Sequence, residues 1–570
     1  MATTLPPPPP PPPPPPTTTY PNPTNPNLFA AVDMGTNSFK MVVVRADPTS
    51  GKFLALDRLK EPVLLGQSMP STTTKPSIST QSQLRAITAL HKFTQFLQSY
   101  NITSYRFVAT SAVREAANQQ DFLHRIREEL GLDVDVLSGE EEAKYIYLGV
   151  LQFLPFYHKL VLGIDIGGGS TEFVLGKNGR VVFAASVRLG HVGLTEGFVK
   201  NGEICRMRDH IRSVLRESGL IEKVKTLGFE IAVGSSGTIR AIERAVFHGY
   251  GRGLVDDGVV FGEIRRDWRF SREELNSVVE KLCGEDEKIR RDGFFKRRSE
   301  FIVAGAVLLK EIFEMLGIEE MEVSGYALGE GVIAERLAGV CDDYDLTVNA
   351  RWRSVVRLAT RFSSQKRMKC AAQCAGIAKE IFEGVRKCSE LAESPNKLAV
   401  TLDDKDLEYL EAACLLHNIG LFTGKKGYHK QSYHIIMDGD HLHSYGTEEV
   451  KLIALLARHH RKKFLKFDHK SFQGYPNEVK QKFRILCAII RISVVVQQYQ
   501  CVNFERIEFS HSHEGFKLVL SEIKNQPPDD IVQPVAEGFE AELSQELEHF
   551  KMVFQQKLSV VVPSSISESS

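Results

Sequence analysis

The chain has 570 residues, 42% hydrophobic and 25% charged, a balance that suits a globular protein with several sizeable cores. Lysine plus arginine and aspartate plus glutamate both total 71, so no global field draws in nucleic acid or an anionic membrane, and any polyanion site must be local. Nine cysteines without a C-x-x-C spacing argue against a zinc framework and suit a reducing compartment, and no apolar run is long enough to cross a bilayer.

In chain order the first feature is Pro6 to Pro16, an unbroken proline run continued by "TTTYPNPTNPN". Such a segment has neither backbone donors nor apolar surface to bury, so residues 1–28 are expected to form a solvated, disordered polyproline tail. It lacks the Arg-rich pattern of a mitochondrial presequence and the apolar stretch of a secretory signal, which points to the cytoplasm with a plastid address left open. From Phe29 to about Gly339 strands and helices alternate. "LFAAVDMG", "FKMVVVRA", "FLALDRLKEPVLLG" and "YRFVAT" read as strands, and "QSQLRAITALHKFTQFLQSY" has apolar residues at helical spacing. That alternation makes an α/β region. Beyond about Asp345 every apolar pattern is helical in period, and from about Gln500 two short strands, "FERIEFS" and "FKLVLSE", precede a helix. The expected division is 29–153 and 154–340 for two α/β domains, 345–500 for an all-helical domain, 501–562 for a small α+β piece, and 563–570 for a disordered tail.

Two stretches of the α/β region repeat one plan. "AAVDMGTNSFKMVVV" and "VLGIDIGGGSTEFVLG" are each an apolar run, an Asp, a Gly-rich turn ending in Ser, and a second apolar run. The repetition predicts two related halves facing each other across a cleft. Glycine allows positive φ and close approach, so backbone N–H groups of Gly35, Thr36, Asn37 and Ser38, and of Gly167, Gly168, Gly169 and Ser170, are placed to cradle phosphate. "GSSGT", comprising Gly234, Ser235, Ser236, Gly237 and Thr238, offers a third cradle at a helix N-terminus. Asp33 and Asp165 repel phosphate directly but suit a magnesium ion held through water. A single such turn reads equally well as a tight hairpin with a surface Asp; two matched turns plus "GSSGT" favour a phosphate site. No Walker-type motif occurs. The fold expected is α/β, with two duplicated actin-like (ribonuclease H-like) domains.

"LSGEEEAKYIYLGVLQFL" opens a helix with three glutamates. Ser138 and Glu141 fit a capping box, and Glu140 is spaced to pair with Lys144. Glu142 shares its helical stripe with Ile146, Gly149 and Phe153, the packed face, which marks it as a candidate general base. A helix-start glutamate favoured by the dipole remains the other reading. Arg114, Arg188 and Arg298, each beside a strand end or an apolar helix, are candidates to offset charge on a phosphoryl group in transition.

"VDMGTNSFKM", "ATSAVREAAN", "SGEEEAKYIYLGV", "IDIGGGSTEFVLG", "VRLG", "GSSGTIRAI" and "RSEFIVAGAVLL" together resemble, in this order, the exopolyphosphatase / guanosine pentaphosphate phosphatase family. The resemblance implies magnesium-dependent hydrolysis of a terminal phosphate from polyphosphate or guanosine pentaphosphate. It also implies a catalytic glutamate at Glu142 and a metal organised by Asp165 and Glu172, with Asp33 as a further candidate. Two departures stand out: Lys144 where the family favours arginine, and Gly329 in "ALGEG" where the family has arginine. The helical domain resembles the His-Asp phosphohydrolase superfamily. It has no histidine from Asn349 to Leu416, and "HN" at His417–Asn418 replaces the His-Asp pair, so no metal is expected there. His429, His434, His441, His443, His459 and His460 read as surface histidines. Arg458, Arg461, Lys462 and Lys463, in "RHHRKKFLKFDHK", form a basic cluster that reads either as a solvated helix end or as a groove guiding a phosphate chain. Neither nucleic acid nor membrane is an expected partner, and a homodimer is left open. Two rival readings are an ATP-dependent phosphotransferase of the same fold and a regulator that binds such ligands without turnover.

Overall fold

The apolar run Leu28–Met34 forms β1, turns at Gly35, and returns as β2 (Ser38–Asp47), which pairs in turn with β3 (Lys52–Pro62). The structure is a computed structural model describing residues 27–47, 50–68, 76–250, 268–285, 290, 293–340, 349–390, 400–439, 441–461, 465, 469–499, 504–512, 514–522 and 539–561. The proline run and the C-terminal tail lie outside the described residues. After α1 (Thr80–Ser99), β4 (Ser104–Ala109) lies parallel to β1. The chain continues through α2 (Ser111–Arg114), α3 (Gln119–Leu130), β5 (Val134–Val136) and α4 (Gly139–Phe153). The first sheet has the order β3-β2-β1-β4-β5.

The second half repeats this plan. β6 (Val161–Ile166), β7 (Thr171–Lys177) and β8 (Arg180–Val187) form an antiparallel meander. Helices α5 (His191–Gly197), α6 (Ile204–Glu217) and α7 (Leu220–Leu227) lead to β9 (Ile231–Gly234), parallel to β6, and to α8 (Gly237–Phe247). β10 (Arg269–Ser271), α9 (Arg272–Gly284), α10 (Ile302–Leu316) and β11 (Glu320–Val323) complete a sheet of order β10-β11-β9-β6-β7-β8. Both sheets therefore carry a three-strand meander whose first strand pairs with a parallel partner. This is the actin-like duplication that the two Asp-Gly units implied.

The connection between the sheets differs from a simple boundary near residue 153. α4 packs on β7 and β8 of the second sheet, whereas α11 (Leu328–Val340) returns to β1 and β2 of the first and lies against α4. The two helices cross at glycines. A Cβ on Gly149 would stand 2.0 Å from the Ala327 carbonyl oxygen, and one on Gly331 would stand 1.7 Å from the Tyr145 carbonyl oxygen.

The helical region comprises α12 (Ala350–Phe362), α13 (Gln365–Glu390), α14 (Asp404–Leu416), α15 (Tyr428–Asp438), α16 (Thr447–His459) and α17 (Asn477–Tyr499). It grips both lobes. Arg361 on α12 pairs through both guanidinium arms with buried Glu243 on α8, at 2.7 and 2.8 Å, and lies 3.7 Å from the Phe247 ring centroid. Lys369 on α13 reaches Asp57 on β3 at 3.2 Å. The final piece has three strands, β12 (Phe504–Ser512), β13 (Gly515–Glu522) and β14 (Leu558–Val561), with α18 (Phe539–Phe554) before the last. The third strand, "LSVV", is too short to show a period in the sequence. A buried Arg491–Glu546 pair, two bonds of 2.6 Å, fixes α18 to α17. Among the described residues no helix is long and apolar enough to cross a membrane.

Overpacking at the helix crossing has a direct consequence. Gly331→Ala is expected to lower stability by about 1–3 kcal/mol, while Gly339→Ala on the same helix, where an added Cβ meets nothing within 4 Å, leaves it unchanged or slightly raised. Equal melting temperatures for the two variants would show that α4 and α11 separate at no cost.

Candidate active site

Asp33, near the end of β1, faces Lys40 across the β1–β2 ladder, and the Lys40 ammonium lies 3.2 Å from Asp33 Oδ2. Asp165, near the end of β6, faces Glu172 across the β6–β7 ladder at the same spacing. The two turns oppose each other closely: a Cβ on Gly169 would stand 2.9 Å from Thr36 Oγ1 and 2.8 Å from Ser111 Oγ. None of Gly35, Gly167, Gly168 and Gly169 is among the positive-φ glycines. Close approach alone therefore calls for glycine here, and the positive φ that the sequence also allowed is not used.

Between the turns lies a cleft of about 290 Å³, lined by both Asp-Gly turns, Ser235 to Thr238, and Ala327 to Glu330. Glu142 enters it from the first turn of α4 and is only 7% exposed. The Ser138–Glu141 capping box is formed, with reciprocal bonds of 3.2 and 2.8 Å. Glu140 does not tie up Lys144, whose ammonium reaches Glu335 instead at 2.5 Å. Arg114 Nη1 donates to Glu142 Oε2 and to the Leu137 carbonyl, both at 2.9 Å. Burial pushes the Glu142 carboxyl up to about 7 against the opposing pull of Arg114. Burial, and then the Glu142 charge, holds Glu172 well above the usual carboxylate range, while Ser186 Oγ donates to it at 2.8 Å. Asp165 is raised by burial, with Ser235 Oγ donating to its Oδ2 at 2.6 Å. Asp33, Glu142, Asp165 and Glu172 thus share one cleft.

Of the residues singled out in the sequence, all of Gly35 to Ser38, Gly167 to Ser170, Ser235 to Thr238, and Arg298 line the cleft. Gly234 does not. It ends β9, and a Cβ there would stand 2.6 Å from Ile239 and 2.7 Å from Met321, so its role is packing. Ser236 serves as N-cap of α8, accepting from Ile239 N–H at 3.1 Å. Arg298 lies over Gly237, where a Cβ would stand 2.2 Å from a guanidinium nitrogen. Arg114 and Arg188 are not among the lining residues. Arg114 holds Glu142, and Arg188 is largely exposed with its Nε 3.1 Å from Glu115.

The sequence reading missed most of the cations. Lys40 and Lys60 are direct cross-strand neighbours on β2 and β3, and with Arg58, Arg240 and Arg298 they line the cleft. Arg58 and Lys60 are two apart on β3, so period-two alternation offered a signal once β3 was placed beside β2. Asp33 holds the Lys40 ammonium above its ordinary range, whereas burial pushes Arg240 down to about 10. Arg58 Nη2 lies 2.6 Å from Glu330 Oε1, with its guanidinium over the Tyr326 ring. Gly329 sits where a Cβ would stand 2.8 Å from Val42. His191 also lines the cleft and was not anticipated.

The basic cluster of the helical region is engaged locally. Arg458 lies over the Tyr433 ring, and Arg461 donates to the Tyr428 hydroxyl at 3.2 Å. Lys462 and Lys463 lie outside the described residues. Two histidines expected at the surface are buried: His429 and His460, with His460 4.8 Å ring to ring from buried His417. Each of His417 and His460 is fixed through Nδ1 to a helix-end carbonyl at 2.7 Å, which explains how packing accommodates them.

Residues 42–339 match the model of the Ppx/GppA phosphatase family, and residues 350–527 match its domain III. The chain belongs to the Ppx/GppA phosphatase family. It is therefore a phosphoanhydride hydrolase, and the helical region is the family's third domain. An exopolyphosphatase from Cytophaga hutchinsonii is 26% identical over 55% of this chain and 98% of its own, with a TM-score of 0.48. A Ppx/GppA family member from Aquifex aeolicus is 25% identical over 56% of this chain and 99% of its own, with a TM-score of 0.45.

Proposed function

We propose that this phosphatase removes the terminal phosphate of inorganic polyphosphate, with Glu142 as the base that accepts a proton from the attacking water. The division of charge within one cleft carries this reading. Four carboxylates gather around the opposed turns, while Lys40, Arg58, Lys60, Arg240 and Arg298 line the same space, Arg58 being paired there with a fifth carboxylate, Glu330. A run of linked phosphates suits both parts: its terminal unit meets the turn N–H groups beside the carboxylates, and the following units lie along the cations.

Glu142 has the properties of a base near neutrality, being a buried carboxylate whose proton affinity is raised and whose position Arg114 fixes. Water oxygen bonds to the terminal phosphorus, its proton passes to Glu142, and the bridging P–O bond breaks toward the shortened chain. The oxygen-only donors around Asp165 suit a hard divalent cation. Among the described residues no three acidic, histidine or cysteine side chains form a ready-made cage. Asp165 and Glu172, with Asp33 opposite, are the residues that would hold the cation, and when bound it offsets charge on the phosphate oxygens. Arg114 is a positioning residue for Glu142.

Phosphate release from polyphosphate, measured with magnesium and beside guanosine pentaphosphate, tests the reading. Glu142→Gln is expected to lower kcat by about 10²- to 10⁴-fold with little change in KM; near-normal turnover would remove Glu142 from the role. The pH profile provides a second check. Because the base acts as carboxylate, kcat at saturating polyphosphate and fixed magnesium rises with pH as the Glu142 carboxyl, held up to about 7, loses its proton. Arg114 pulls that carboxyl down, so Arg114→Ala moves the rising limb to higher pH. An unmoved limb would detach the titration from Glu142.

A further inference from the structure

His191 opens α5 directly after the β8 turn, and its backbone is locked to the second Asp-Gly turn. His191 N–H donates to the Gly167 carbonyl at 3.2 Å, and Val192 N–H donates to that of Gly168 at 3.0 Å. The preceding Gly190 is held so close that a Cβ there would stand 2.1 Å from the Gly168 carbonyl oxygen. The imidazole thus has a fixed position relative to the phosphate turn. It lines the cleft at 8% exposure, its ring centroid is 5.2 Å from that of Phe301, and its buried Nδ1 has no hydrogen-bond partner. A buried ring nitrogen left without a partner is costly, and such groups call for a reason.

We infer that His191 contacts the substrate: a turn of the ring presents Nδ1, which has no exposed surface as it stands, to a phosphate oxygen of the chain, and the imidazole takes a proton from solvent as the chain binds. This deepens the polyphosphate reading and rests on it. The charges acting on the ring are those of Arg298, Lys40 and Lys60, all cationic, and with burial as the larger cause they hold the imidazole down to about 3, so it is neutral at pH 7. Charged groups on neighbouring elements are engaged elsewhere: Glu196 and Glu300 lie at Lys200, and Glu311 holds Arg208 and Arg212. A polyanion in the cleft offsets the three cations and gives the imidazolium an acceptor, and both effects favour the protonated ring. Wild-type affinity for the chain therefore strengthens as pH falls toward the range in which the bound imidazole is protonated.

Sodium tripolyphosphate binding to the non-hydrolysing Glu142→Gln protein, followed by calorimetry at pH 7 without magnesium in two buffers of different ionisation heat, reads the proton count directly. Glu142→Gln is expected to take up more protons per bound chain, up to one, than Glu142→Gln/His191→Gln. It should also bind about tenfold more tightly. Equal proton uptake and equal affinity would overturn the role of His191. Failure of Glu142→Gln itself to bind tripolyphosphate would overturn the polyphosphate reading, and His191's part with it. Proton number is insensitive to a small loss of stability, so a merely structural histidine would not produce the difference.

Discussion

The molecule depends on two glycine turns pressed together, each following an aspartate near the end of a strand that has a parallel partner. A Cβ would be tight against Thr36 at Gly168 and would clash with Ser111 and Thr36 at Gly169, so their contact brings backbone N–H groups from two lobes into one small space. Because both hairpins keep the same register, each Asp has a cross-strand neighbour at an equivalent place, Lys40 in one lobe and Glu172 in the other. That difference in charge between the two units breaks the electrostatic symmetry of the cleft. One hairpin adds a cation to the cleft, and the other adds a second buried carboxylate.

Holding the lobes in this relation falls to packing distant from the turns. The α4–α11 crossing joins the helix that carries Glu142 to the Ala327–Glu330 wall of the cleft, and it closes only because Gly149 and Gly331 let backbone meet backbone. The third domain braces the cation-bearing elements. Arg361 secures α8, which carries Arg240, while Lys369 and Gln365 hold β3, which carries Arg58 and Lys60; the Gln365 amide donates to the Arg58 carbonyl at 3.0 Å. The Arg361–Glu243 pair is buried, so its charges depend on each other in a way that an exposed pair's do not. The third domain thereby fixes where the cations of the cleft stand.

What the sequence disclosed and what it withheld follow a physical line. The Asp-Gly units, the duplicated α/β plan and the Glu142 stripe were legible because each is local: a turn needs glycine, a strand end needs apolar residues before it, and a helix face repeats within one turn. The cations were not legible, because Lys40, Lys60 and Arg58 come together through strand pairing and Arg240 through helix docking. Arg188 misled because a strand end alone says nothing about which way a long side chain leaves it. His429 and His460 misled because polarity suggests solvent, whereas a helix-end carbonyl or a tyrosine hydroxyl satisfies a buried histidine equally well; Tyr428 Oη lies 3.0 Å from His460 Nε2. His191 carried no local signal at all, since its significance lies in a turn packed against it from another part of the chain.

The cleft's own charges explain why it should prefer a densely charged ligand. Burial raises Glu142, Asp165 and Glu172, and burial lowers Lys60, Arg240 and Arg298, so the charged form is disfavoured on both sides of the site. The fold tolerates this because the surrounding packing over-determines each position, as with Arg114 on Glu142 and Ser235 on Asp165. A neutral or singly charged ligand would relieve little of that cost. On the proposed reading a chain of phosphates lies along several of these cations at once and favours their charged forms, while the carboxylates stand at its terminal unit.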